Sequence, residues 1–239
     1  MTTEGNASRR RRRGGRVTRW SGDSLFFRAL EPAEGWDESR TAVSANQRAR
    51  MLDAMARAVA AKGYARVSVA DVVQLAGVSR RTFYEQFRDK EDCFLVAYET
   101  GSEALIGEML AAVARLENPD WRTRLRASME VYTATLAAEP DLARVFLIDV
   151  LGAGPKAVEL RRRVYERYVE QYRVLSALAA EEDPGIAPVP DLFLRALVGG
   201  IGELVQAQVL DHGAEKVTDL TADLLALVTA IFEGTARLR

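Results

Sequence analysis

Residues 80 to 84 read RRTFY, with Phe87 and Lys90 close behind. Arginine can pair bidentately with guanine, threonine and tyrosine hydroxyls can reach phosphate or base edges, and lysine is a mobile phosphate-seeking charge. At about 100° per helical residue, Phe83 and Phe87 share one face. Arg81 and Glu85 project opposite them, Thr82 and Tyr84 flank, and Arg80 stands in the exposed first turn. The phenylalanines would dock such a helix and leave its other face free to enter a major groove. A merely solvated helix face is the competing reading.

The surrounding elements must position that cluster. VSVADVVQLAG offers Ser68 as N-cap with Asp71 three residues on, close to a capping box. Its helix ends near Gly77, and Ser79 can cap the next one. Ser68 to Phe87 therefore reads as two short helices joined by a glycine-containing turn, the helix-turn-helix arrangement. Helix N-termini near Ser68 and Ser79 present N–H groups suited to phosphates. A preceding helix from Ser44 places Met51, Met55, Ala58 and Val59 on one stripe and stops at Gly63. Another starts around Asp89 and runs towards Leu116.

The segment SVADVVQLAGVSRRTFYEQFRDKEDCF resembles the DNA-binding domain of tetracycline-repressor (TetR) family regulators. Ser68, Asp71, the run Ala76-Gly77-Val78-Ser79, Thr82-Phe83-Tyr84 with Phe87, and Lys90-Glu91 stand in register with it. The resemblance spans roughly residues 44–97; beyond them only length and the succession of helices agree. It implies that Ser68, Ser79, Arg80, Arg81, Thr82, Tyr84 and Lys90 touch DNA, that Arg48 meets phosphate from the first helix, that Gly77 makes the turn, and that Phe83 and Phe87 are core. It also implies dimerisation through the last two helices and a small ligand held inside the larger domain. The Arg-rich extension is longer than the family minimum.

The rest of the chain is helical in pattern, with period-two alternation nearly absent. The expectation is an all-α chain with three parts: residues 1–43 an Arg-rich, mostly disordered extension carrying short ordered pieces, or the product of an over-early start codon; 44–92 a three-helix DNA-binding domain; 93–239 a ligand-binding and dimerisation domain. RRRRRGGR at the N-terminus could follow the DNA backbone or enter a minor groove, or be a solvated tail. Tyr132, Phe146, Tyr165, Tyr168, Tyr172 and Phe193 are candidates to line an apolar cavity, with plain core as the alternative. RRR at 161–163 reads as a solvated face that could attract an anionic ligand. Gly199, Gly200 and Gly202 in one helix cost roughly 1 kcal/mol each in helix propensity. Close approach of another helix would offset that, so with Leu224, Leu227 and Ile231 they point to a two-fold helical interface, with packing inside the monomer as the alternative. His212 reads as a C-terminal cap or an exposed residue.

Charge divides unevenly. Residues 1–92 hold 18 Lys/Arg against 12 Asp/Glu, a net of +6, and residues 93–239 hold 15 against 22, a net of −7. A basic end beside an acidic remainder suits a polyanion partner at one end only. The single cysteine, Cys93, reads as a small buried hydrophobe and fits a reducing cytoplasm. No apolar stretch follows the N-terminal arginines as a signal peptide would require, and no run approaches the roughly 20 apolar residues of a membrane span. One histidine and one cysteine argue against a zinc site or a cysteine–histidine nucleophile. Gly152 to Ala157 formally matches GxGxxA, yet Pro155 removes an N–H from the phosphate-facing turn and helical signals surround it. The expectation is a non-enzymatic, cofactor-free, cytoplasmic homodimer: a ligand-responsive regulator of transcription, a repressor that binds a palindromic double-stranded operator and is released by a small-molecule effector. The alternative is a helical adaptor or oligomerisation protein whose basic end meets RNA or another anionic surface.

Overall fold

The computed structural model describes residues 24–30 and 40–234. Those residues form ten α-helices and three short 3-10 turns, with no strand among them. The elements are α1 (Leu25–Leu30), α2 (Arg40–Lys62), α3 (Val69–Ala76), α4 (Arg80–Gln86), α5 (Lys90–Ala114), α6 (Trp121–Ala138), α7 (Pro140–Leu147), α8 (Pro155–Glu182), α9 (Asp191–His212) and α10 (Thr221–Gly234). Breakers and caps set the boundaries. Asp89 and Asp120 accept from the N–H groups of Asp92 and Thr123 at 2.8 Å each, starting α5 and α6. Pro140 and Pro155 occupy the first turns of α7 and α8, where a missing N–H costs nothing.

Helices α2, α3 and α4 make a small module on which α5 is built in directly. Phe83, Phe87, Cys93 and Phe94 are all buried, and the Tyr64 and Phe94 rings meet at 4.9 Å. The division expected between residues 92 and 93 thus falls inside one continuous helix. Cys93 is the buried hydrophobe expected of it, its thiol pushed well up by desolvation. Around α5 the longer helices α6, α8 and α9 enclose the rest of the core.

Within the extension expected to carry short ordered pieces, Leu25 and Phe26 are buried where α1 packs on α2 and α5. The Leu25 N–H donates to Glu139 Oε1 at 2.8 Å, and Arg28 pairs with Glu108 at 2.7 Å. Residues 1–23 and 31–39, including the arginine run, lie outside the described residues. The expectation about membrane spans needs correction at α9, which is long and apolar enough to cross a membrane by length and composition. Its Leu194, Leu197, Val198, Ile201 and Val205 pack into the core, while Leu192 and Leu210 lie bare on the opposite face and Leu204 is exposed on its flank.

Candidate nucleic-acid interface and inner cavity

The turn between α3 and α4 is closed by backbone geometry. Gly77 sits in the left-handed region at φ 61°, and the N–H of Val78 returns to the carbonyl of Val73 at 3.1 Å. This is a Schellman-type ending, which only glycine enters without a Cβ penalty. Arg50 Nη2 donates to the Gly77 carbonyl at 3.2 Å, clamping the turn to α2. The Ser68 hydroxyl donates to Asp71 Oδ2 at 2.6 Å, and that carboxylate also holds Lys62 at 2.7 Å. These partners pull the Asp71 pKa well below the usual carboxylate range, Lys62 contributing most. The Ser79 side chain accepts from the Thr82 N–H at 3.0 Å. Both serines therefore serve first as helix caps.

Beyond the caps, α4 presents the face its spacing predicts. Phe83 is fully enclosed, its ring 5.5 Å from that of Phe87. Arg80, Arg81 and Tyr84 are exposed, and Thr82 is half-buried. Arg81, with a side chain 89% exposed, is paired with Glu85 at 2.9 Å, an exchangeable surface contact. Arg48 and Lys90, expected to meet DNA, also make contacts within the module. The Arg48 guanidinium lies 4.7 Å from the Phe87 ring centroid and donates to the Gln86 carbonyl, which fixes the end of α4. Lys90 donates to the Tyr64 carbonyl at 3.1 Å and sits over the Tyr64 ring. Each spends part of its donor capacity holding the module together.

Inside the larger part, α5, α6, α7, α8 and α9 surround a cavity of about 110 Å³. Of the six aromatic candidates, Tyr132, Phe146, Tyr165, Tyr168 and Tyr172 line it; Phe193 does not. On α9 the cavity face carries Gly202, and Phe193, nine residues earlier, points about 180° away. It is 42% exposed. Gly202 lies on the cavity wall, and Leu224 is fully enclosed within the chain. Leu227 and Ile231 pack half-buried against the core, whereas Gly199 is exposed and Gly200 partly so. His212 is exposed at the end of α9.

Sequence reasoning missed Tyr98, Met109 and Met129, which also line the cavity; Arg161, of the arginine run that could attract an anionic ligand, lines it too. A signal was present: Arg161, Tyr165, Tyr168 and Tyr172 fall at i, i+4, i+7 and i+11, one stripe of α8. Burial raises the phenol pKa of Tyr98 to about 12 and pushes those of Tyr132, Tyr168 and Tyr172 up as well, so all four remain protonated near neutral pH. Tyr165 donates to the Arg195 carbonyl, tying α8 to α9. The formal GxGxxA segment proves to be a 3-10 turn followed by α8, with no strand before it.

Residues 51–97 match the family model described as bacterial regulatory proteins, tetR family. Among solved structures, the chain is similar to the fatty acid degradation regulator FadR from Bacillus halodurans, at 19% identity and a TM-score of 0.68, over 76% of this chain and 94% of that one. It is similar also to FadR from Bacillus subtilis in complex with stearoyl-CoA, at 16% identity and a TM-score of 0.67, over 77% and 97%. A transcriptional regulator from Saccharomonospora viridis in complex with choline aligns at 22% identity and a TM-score of 0.59, over 75% and 95%. No curated protein sequence matches.

Proposed function

We propose that this chain, a TetR-family transcriptional regulator, is a cytoplasmic homodimeric repressor that holds a palindromic operator until a small molecule enters the inner cavity. One observation carries the reading: a single helix, α5, is packed into the DNA-binding module at Phe94 and lines the cavity at Tyr98. A ligand pressing on Tyr98 acts on the same helix that packs against α2 of the DNA-binding module. Relatives of this fold have been captured with stearoyl-CoA and with choline, which supports a ligand-responsive role for the larger part here.

The dimer is read from the outer sides of α9 and α10. Leu192, Leu204 and Leu210 stand bare on α9, and Ala222, Ala226 and Ala230 make an exposed small-residue stripe on α10. Small residues let helices approach closely, and a two-fold axis through such a face gives a four-helix contact. Two recognition helices about one DNA turn apart then call for a palindrome. A ligand shifts the balance between operator-bound and released states only by its difference in affinity for the two.

A thermal-shift screen of small molecules tests the effector role. A compound present at about a hundred times its Kd should stabilise the protein by roughly 2.7 kcal/mol and weaken operator binding. Cavity-binding compounds that all leave operator affinity unchanged would contradict it.

A further inference from the structure

The cavity is lined mainly by apolar side chains, and no Asp or Glu is among its lining residues. Its charge comes from Arg161. Three other arginines on α8 are paired at the surface, Arg162 with Glu159 at 2.7 Å, Arg167 with Glu103 at 3.0 Å, and Arg173 with Glu170 and Asp191, while Arg163 is exposed to solvent. Arg161 is half-buried and, among the described residues, has no carboxylate within ion-pair distance. A cation drawn partly out of water without a partner is costly, and an anion brought to it recovers much of that cost.

The hydroxyls of Tyr98, Tyr132, Tyr168 and Tyr172 make no hydrogen bond to any described residue. Tyr132 and Tyr168 meet edge-on at 6.2 Å, and Tyr98 lies edge-on to Phe146 at 5.1 Å, so the rings form a wall with donors left over. From Arg161 to Tyr172 the lining stripe of α8 runs eleven residues, about 16 Å at 1.5 Å per residue. The lined surface is therefore elongated, charged at one end and apolar along its length, with Leu105, Met109, Met129 and Val164 among its walls.

We infer that the cavity takes an elongated monocarboxylate with an apolar body, its carboxylate on Arg161 and its chain along the tyrosine-lined face of α8. The inference rests on the reading of the cavity as the effector site. A cationic ligand could use the tyrosine faces, but it would meet Arg161 with no carboxylate to balance it. A phosphate monoester dianion would leave a surplus charge against the single cation. The carboxylate matches the site in charge, and the guanidinium fork matches it in shape.

The test is calorimetric titration of the full chain with octanoate, decanoate, decanol and decyltrimethylammonium, on wild type, Arg161→Gln and Arg161→Lys. Thermal melting of each variant establishes that it is folded. A carboxylate is expected to bind wild type more tightly than decanol, with decyltrimethylammonium weakest. Arg161→Gln should lower carboxylate affinity about ten- to a hundredfold while leaving decanol unchanged, and Arg161→Lys should recover part of the loss. The inference is overturned if neither carboxylate binds, if the cation binds as tightly as decanoate, or if Arg161→Gln weakens decanoate and decanol alike. The same samples on labelled operator DNA separate this inference from the effector role. Arg161-dependent decanoate binding that leaves the operator bound keeps the ligand class and overturns the effector reading. Release by a cavity-bound cation does the reverse.

Discussion

Arg81 and Lys90 belong to one small module but are held differently, and that difference should show in binding. Arg81 has no packing to lose, so Arg81→Ala should leave the unfolding midpoint nearly unchanged. It should cost about 1–3 kcal/mol on the operator and relax selectivity at one base position. Lys90→Ala should weaken all sequences alike and also lower stability, because the ammonium packs on Tyr64 and donates to its carbonyl. Equal losses on every operator variant for both changes would contradict the assigned roles. Gly77 offers a stability test. A Cβ there would lie 2.7 Å from Arg50 Nη2 on a backbone at φ +61°, so Gly77→Ala should cost roughly 1–2 kcal/mol in chemical denaturation. A neutral result would remove the argument that this turn fixes α4. At this scale the sequence is legible where a side chain has one dominant job, as with Ser79, Gly77 and Phe83. It is less so for Arg48 and Arg161. Arg48 is pinned by Phe87 and the Gln86 carbonyl, a contact that depends on how α2 crosses α4. Arg161 differs from its solvated neighbours Arg162 and Arg163 only by sharing a stripe with Tyr165, Tyr168 and Tyr172, and which way that stripe faces depends on the rotation of α8 about its axis.

Among the elements, α5 and α1 carry the most consequence. Helix α5 reaches the cavity through a close contact: a Cβ on Gly101 would lie 2.4 Å from the Phe146 ring. Gly101→Ala should push that ring into the cavity or push α7 away, costing about 1–3 kcal/mol. Ligand affinity should fall with it, and unchanged affinity alongside unchanged stability would show that the contact is slack. Helix α1 ties the DNA-binding module to the body, since its side chains lie on α2 and α5 while Leu25 is held by Glu139 at the junction of α6 and α7. Leu25→Ala should therefore destabilise the protein by roughly 2–5 kcal/mol, measured by denaturant unfolding. A solvated tail would give no change. The long helices are plain from 3.6-residue periodicity, caps and breakers. Six residues are too few to show a period, so by pattern alone α1 merges into a disordered extension.

For the whole molecule, the two-part all-α architecture can be read from helical periodicity and from the register of SVADVVQLAGVSRRTFYEQF with a known family. Which faces stay bare cannot, because that depends on helix rotation: Leu224 and Gly202 turn inward, while Leu204 and Ala226 remain outside. The proposed dimer uses these outer faces. Leu204→Arg should shift the sedimentation mass towards the monomer and weaken operator binding, with little effect on the fold because the side chain is 47% exposed. An unchanged dimer would move the interface elsewhere. The most direct test of the central claim is a nuclease footprint of the wild-type protein over its own promoter at physiological salt. The account predicts one protected palindrome with half-sites about one helical turn apart, lost in Arg81→Ala. Diffuse, salt-sensitive protection with no symmetric site would contradict it.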